Sequence, residues 1–138
     1  MAIMELDKLL KGMEPKAYEE RFLFASVGGA NLLGLANYLD SIECIYKEEE
    51  GLTVLFTEDI KDEVSELSLV KVEGPFAKIT LTVNSDLMAV GFLAKITEAL
   101  AKEGISVNAF SAYHHDHLFV PYGSKDKTME VLKGLTKV

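Results

Sequence analysis

An α+β fold built from two small modules is what this sequence predicts, and three observations carry that reading. Runs dense in branched and aromatic residues alternate with amphipathic helical stretches; the order of these elements recurs weakly, in pattern and not in identity; and Gly74-Pro75 interrupts the chain near its middle. The module boundary is therefore placed there, with residues 1–74 forming an N-terminal helix plus a first module and residues 75–138 forming a second.

The elements follow in order. Leu6, Leu9, Leu10 and Met13 recur at helical spacing, and the early acids of "MAIMELDKLLKGMEPK" argue for an amphipathic docking helix over a signal peptide. Pro15 ends it. "RFLFASV" (21–27) suits a strand, and "GGANLLGLANYL" is a glycine turn leading into a short helix. "SIECIYKE" and "LTVLFT" flank "EEEG" as a hairpin closed by Gly51; Glu48 to Glu50 read as its solvated tip. "TEDIKDEVSE" is a helix with Thr57 as its cap and acids in its first turn. "LSLVKVE" (67–73) reads as a returning strand.

In the second half, "FAKITLTV" is a strand, and Leu93, Ile96, Ala99 and Leu100 form one face of a helix that Gly104 ends. "ISVNAFSAY" and "LFV" make another hairpin, and Ser124 caps a last helix through Met129, Val131 and Leu132. Each half thus reads as a ferredoxin-like βαββαβ unit, an antiparallel sheet with helices on one face. The second has no obvious closing strand of its own. Either the strand at Leu67 to Glu73 pairs with the other half's sheet, or a second chain covers the edge.

Composition narrows the function. With 49% apolar and 26% charged residues the chain is expected to fold, and a net charge of −8 with scattered lysines argues against nucleic acid. No run approaches the roughly 18 apolar residues of a membrane span. The single Cys44 has no disulfide partner within the chain, which fits a reduced, cytoplasmic protein.

The stretch "GFLAKITEALAKEGISVNAF" (91–110) is more specific than its periodicity. With the preceding loop "NSDLMAVG" it resembles the ACT domain, a small ligand-sensing module of amino-acid metabolism, whose signature is a strand, an Asp-x-Pro-Gly-like loop, a leucine- and alanine-bearing helix and a Gly-Ile-Asn-Ile strand opening. Asp86 and Gly91 are present; the proline is absent, the spacing is longer, and Ser106 replaces the usual asparagine. The first half resembles a degenerate copy, so the whole chain is similar to small free-standing proteins of two such modules. The resemblance implies binding of an amino acid or similar metabolite through Asp86, Leu87, Ala89, Val90 and Gly91 in the loop and Asn108 on the next strand. It also implies a homodimer or higher oligomer and a protein partner to receive the signal, with no cofactor. An assembly module without a ligand is the alternative.

All three histidines lie in "AYHHDHLFV". A two-residue turn at His115 and Asp116 sets His114 opposite His117 and groups both with Asn108, Phe110 and Phe119 on one sheet face; a three-residue loop swaps the parity. Phe110, His114, His117 and Phe119 are then candidates for a pocket rim or subunit interface. A structural zinc needs four ligands, more than these histidines supply. A small enzyme using His115 and Asp116 lacks an adjacent nucleophile, so neither a catalytic nor a metal site is assigned.

Overall fold

The computed structural model describes residues 2–137. Its elements are α1 (Leu6–Gly12), β1 (Pro15–Val27), α2 (Leu32–Leu35), β2 (Ile42–Lys47), β3 (Leu52–Thr57), α3 (Lys61–Leu67), β4 (Glu73–Leu81), α4 (Phe92–Lys102), β5 (Asn108–Ser111), β6 (Asp116–Pro121) and α5 (Lys125–Leu135). Contacts divide the chain into two units: a continuous one, residues 20–76, and a split one made of residues up to 19 together with those from 77 on.

The continuous unit is a complete βαββαβ module. Its strands come from β1 (20–27), β2, β3 and β4 (73–76), in the spatial order β2-β3-β1-β4. β1 and β3 pair antiparallel, with Phe24 opposite Leu55 and Ser26 opposite Thr53. Leu23, Ala25, Val27, Val54 and Phe56 alternate onto the face covered by Leu35, Ile60 and Val64. The other face holds Phe24 and Phe76, whose rings meet edge to face at 5.2 Å.

The expected strand over residues 67–73 is absent. The chain leaves α3 at Leu67, and Ser68 makes only an isolated bridge to Val27. Ser68 Oγ bonds the backbone two residues further on, accepting from Val70 N and donating to Val70 O. A serine hydroxyl placed this way satisfies backbone groups that a ladder would otherwise use.

The split unit has strands β4 (77–81), β5 and β6, with the order β1-β4-β6-β5. Its closing strand is therefore residues 15–19 of β1, supplied from the start of the chain, and neither the 67–73 segment nor a second molecule is needed for it. Helix α1, expected with the first module, belongs here as well: Leu9 and Met13 are fully buried with Ile79, Leu81, Ile96, Leu100, Leu118, Val120 and Leu132. The two terminal pieces are joined further by Thr82 Oγ1 donating to Glu14 O (2.7 Å) and Tyr122 Oη donating to Glu19 O (2.8 Å).

Thr57 and Ser124 stand at helix starts, yet neither caps through its side chain. A 3-10 turn over Glu58–Ile60 separates Thr57 from α3, whereas Ser124 directly precedes α5 but lacks the extended backbone from which a cap's hydroxyl reaches the first N–H groups. Thr57 and Ser41 instead donate to the Asp59 carboxylate. These bonds, Thr57's first, hold that carboxyl below its usual range. Cys44 is half-buried on β2, and burial followed by the neighbouring Glu43 pushes its thiol up, so little thiolate is available.

Candidate functional site

In the split unit, residues 82–91 connect β4 to α4 and form one wall of a cavity. The loop is held by its own turn and by the N-terminal segment. Ile3 N donates to Asn84 O, and Asp86 N donates to Ile3 O, both at 2.8 Å, forming a parallel bridge between Ile3 and Ser85. Asp86 Oδ1 accepts from Met88 N (2.8 Å) and Asp86 O from Ala89 N (3.0 Å), the pattern of an Asx turn. Gly91, at φ +89°, ends the loop and starts α4. The first N–H groups of any α-helix lack partners within it, so this end of α4 is a favourable place for an anion.

The opposite wall comes from the β5–β6 hairpin. Its pairs are Asn108 with Phe119, Ala109 with Leu118, Phe110 with His117 and Ser111 with Asp116. The turn is therefore Ala112 to His115, closed by Ala112 N donating to His115 O (3.0 Å), and His114 does not face His117. Four turn residues replace the expected two, and the parity of the strands is preserved. Asn108, Phe110, His117 and Phe119 still share one face, while Ser111, Asp116, Leu118 and Val120 share the face that the helices cover. Asp116 is consequently an inward residue of β6, only 7% exposed, and not part of a turn.

Between these walls lies a gap of about 140 Å³, bounded by Ser85, Asp86, Leu87, Ala89 and Gly91 of the loop, Phe92 to Ala94 of α4, and Ser111, Ala112 and Asp116 of the hairpin. Most of these side chains are small, which is why the gap stays open. Ser85 Oγ donates to Asp116 Oδ2 across it at 3.1 Å. A wider depression of about 520 Å³ shares Ser85, Asp86 and Leu87 and extends to Ala2, Met88, Tyr113 and His114.

Of the residues singled out in the sequence, Asp86, Leu87, Ala89 and Gly91 thus line one cavity. Val90 does not; it is 83% exposed. Asn108 sits at the far end of β5, away from these walls. Phe110 meets Phe119 edge to face at 5.4 Å on the other sheet face, where Phe119 is buried and forms no rim. His117 Nδ1 lies 2.9 Å from Thr80 Oγ1 on that same face, and His114 borders the wider depression. Ser85, Ser111 and Asp116 were not singled out as binding residues. The signal for Asp116 was its place one step before the apolar run "HLFV", which makes it the first residue of a strand.

The continuous unit has a much tighter counterpart of this region. Its β1-to-α2 connection is short, and a Cβ on Gly51 in its hairpin would lie 2.9 Å from Val27 O, so the hairpin tip rests directly against the strand end.

Comparison with known proteins decides the family. The ACT domain pattern matches residues 1–63 and again residues 71–134. The chain belongs to the ACT domain family. A Vibrio cholerae protein of unknown function, described as a possible transport protein, is 31% identical, with 95% of each chain covered and a TM-score of 0.77. The ACT fold here is also shared with the regulatory subunit of aspartate kinase from Thermus flavus, at 10% identity, 88% of this chain and 95% of that one, and a TM-score of 0.70. Escherichia coli aspartokinase III, in complex with aspartate and ADP, is similar over 91% of this chain and 33% of its own, at 17% identity and a TM-score of 0.65. No curated protein matches the sequence. Among the described residues, no helix of this ACT protein is long and apolar enough to cross a membrane.

Proposed function

We propose that this protein is a non-catalytic, regulatory ACT protein that binds an amino acid or similar small metabolite in the split unit and relays its presence to a protein partner, working in the cytoplasm as a homodimer or larger assembly. The cavity between the 82–91 loop and the β5–β6 hairpin is the observation that supports this reading most directly. It is concave and mixed in character, with an apolar floor at Phe92 and Leu93 and hydroxyl and carboxyl groups at Ser85, Ser111 and Asp116, as small-molecule sites commonly are. The kinship in fold to aspartate kinase regulatory subunits supports a regulatory role. Regulation requires that the ligand prefer one arrangement of the protein over another, and the loop is the element placed to change on binding.

A thermal-shift panel of the free amino acids tests this. A ligand at about 100 times its dissociation constant adds about 2.7 kcal/mol, a shift of several degrees for a domain of this size. Ala94→Trp fills the cavity from an exposed helical position and is expected to abolish the shift while leaving the far-UV spectrum unchanged. A panel with no shift in the unmodified protein would favour the assembly reading.

A further inference from the structure

We infer that the cavity selects a small ligand with a free, protonated amine, and that Asp116 is the residue that holds that amine. This inference rests on the proposed function and adds to it the charge and size of the ligand.

The first argument is the state of Asp116. Asp116 is buried, and among the described residues Ser85 Oγ is the one side chain that donates to its carboxyl group and no lysine, arginine or histidine pairs with it. Among the described residues no side-chain oxygen is both fully buried and without a hydrogen bond, so the part of this carboxyl group that Ser85 leaves free is open to the cavity. A cation entering that cavity would pair with it through a charge-assisted hydrogen bond. The second carboxylate on the wall, Asp86, accepts from Met88 N in its own turn and is partly exposed to water, whereas Asp116 is buried beside the cavity, where an ion pair is screened less.

Size is the second argument. About 140 Å³ is close to the engineered cavity of about 150 Å³ that holds one benzene, so roughly six non-hydrogen atoms fit. Glycine, alanine and serine fall in that range; leucine and phenylalanine do not. For such a ligand the amine would lie at Asp116 and the carboxylate toward the start of α4, where the backbone N–H groups favour an anion.

The test is isothermal titration of the intact protein with L-alanine, L-lactate and phenylalanine, repeated with Asp116→Asn. Alanine is expected to bind, lactate, which is of the same size but carries a neutral hydroxyl in place of the ammonium, to bind at least about tenfold more weakly, and phenylalanine to be excluded. Asp116→Asn keeps the shape and an acceptor for Ser85 and is expected to weaken alanine by about tenfold or more. The comparison of alanine with lactate needs no variant, so it stands even where Asp116→Asn fails to fold. If alanine binds and either lactate or phenylalanine binds as tightly, or Asp116→Asn binds alanine unchanged, the inference is overturned while the metabolite site survives. If none of glycine, alanine, serine or the larger amino acids binds, the proposed function falls and this inference with it.

Discussion

Gly74 and Gly104 both have positive φ, +139° and +71°, but substitution has different costs at the two. A Cβ on Gly104 meets nothing within 4 Å, so Gly104→Ala is expected to lose only the preference against left-handed backbone, about 1–2 kcal/mol. On Gly74 a Cβ would lie 2.6 Å from Leu23 Cδ2 and 2.8 Å from Phe22 O. The leucine can turn away, but the carbonyl is part of β1, so overpacking adds about 1–3 kcal/mol to the conformational cost. Urea unfolding of the two variants should therefore rank Gly74→Ala as clearly the more damaging; equal losses would mean that β1 yields without cost. The sequence made Gly104 readable as a helix end, since apolar periodicity stopped just before it. Gly74 read as a boundary, but its tight approach to Phe22 involves a strand far away along the chain, which no local pattern reports. Asp116 is the same case: its type and spacing were visible, whereas its burial depended on the pairing of β5 with β6.

At the scale of elements, periodicity showed faces more reliably than partners. Leu9 and Met13 were legible as the apolar side of α1, and Leu93, Ile96 and Leu100 as that of α4, because a 3.6-residue repeat is local. The parity of the β5–β6 hairpin was open in the sequence, because a three-residue loop would have swapped it; the observed four-residue turn leaves Leu118 and Val120 on the same face as a two-residue turn does. The segment 67–73 misled, since its alternating apolar residues are strand-like and only the Ser68 hydroxyl reveals the bend. Least visible was the bridge from Ile3 to the 82–91 loop, because Ile3 carries no motif. Ile3→Pro removes the N–H that donates to Asn84 O and is expected to cost about 1 kcal/mol. It should also release the loop. Hydrogen exchange at residues 84–91 is expected to quicken in this variant while exchange in β2 and β3 stays as it was; unchanged loop exchange would show that the Asx turn at Asp86 suffices without the bridge.

The chain as a whole has two modules in a different order from the one its halves suggest. Internal similarity between halves pointed to two ACT modules, and the family patterns place one in each half, but similarity cannot say which segment closes which sheet. The split unit takes its closing strand, residues 15–19, and two fully buried side chains, Leu9 and Met13, from the opposite end of the sequence. Burial of those two side chains alone contributes about 1.5–3 kcal/mol each, a large share of the roughly 5–15 kcal/mol that holds a domain together. A fragment of residues 77–138 is therefore expected to lack a stable fold, with poorly dispersed amide resonances and no cooperative melt. Attaching residues 1–19 to its C-terminus through a flexible Gly/Ser linker should restore both, because the missing strand and helix α1 are then supplied in the ordinary βαββαβ order. A fragment of residues 20–76 already contains all four of its strands and should need no such repair, although its small size makes it marginal. If the bare 77–138 fragment melts as cooperatively as the fused one, the N-terminal segment is dispensable to the fold. Its contacts with the 82–91 loop would then serve only to position that loop beside Asp116.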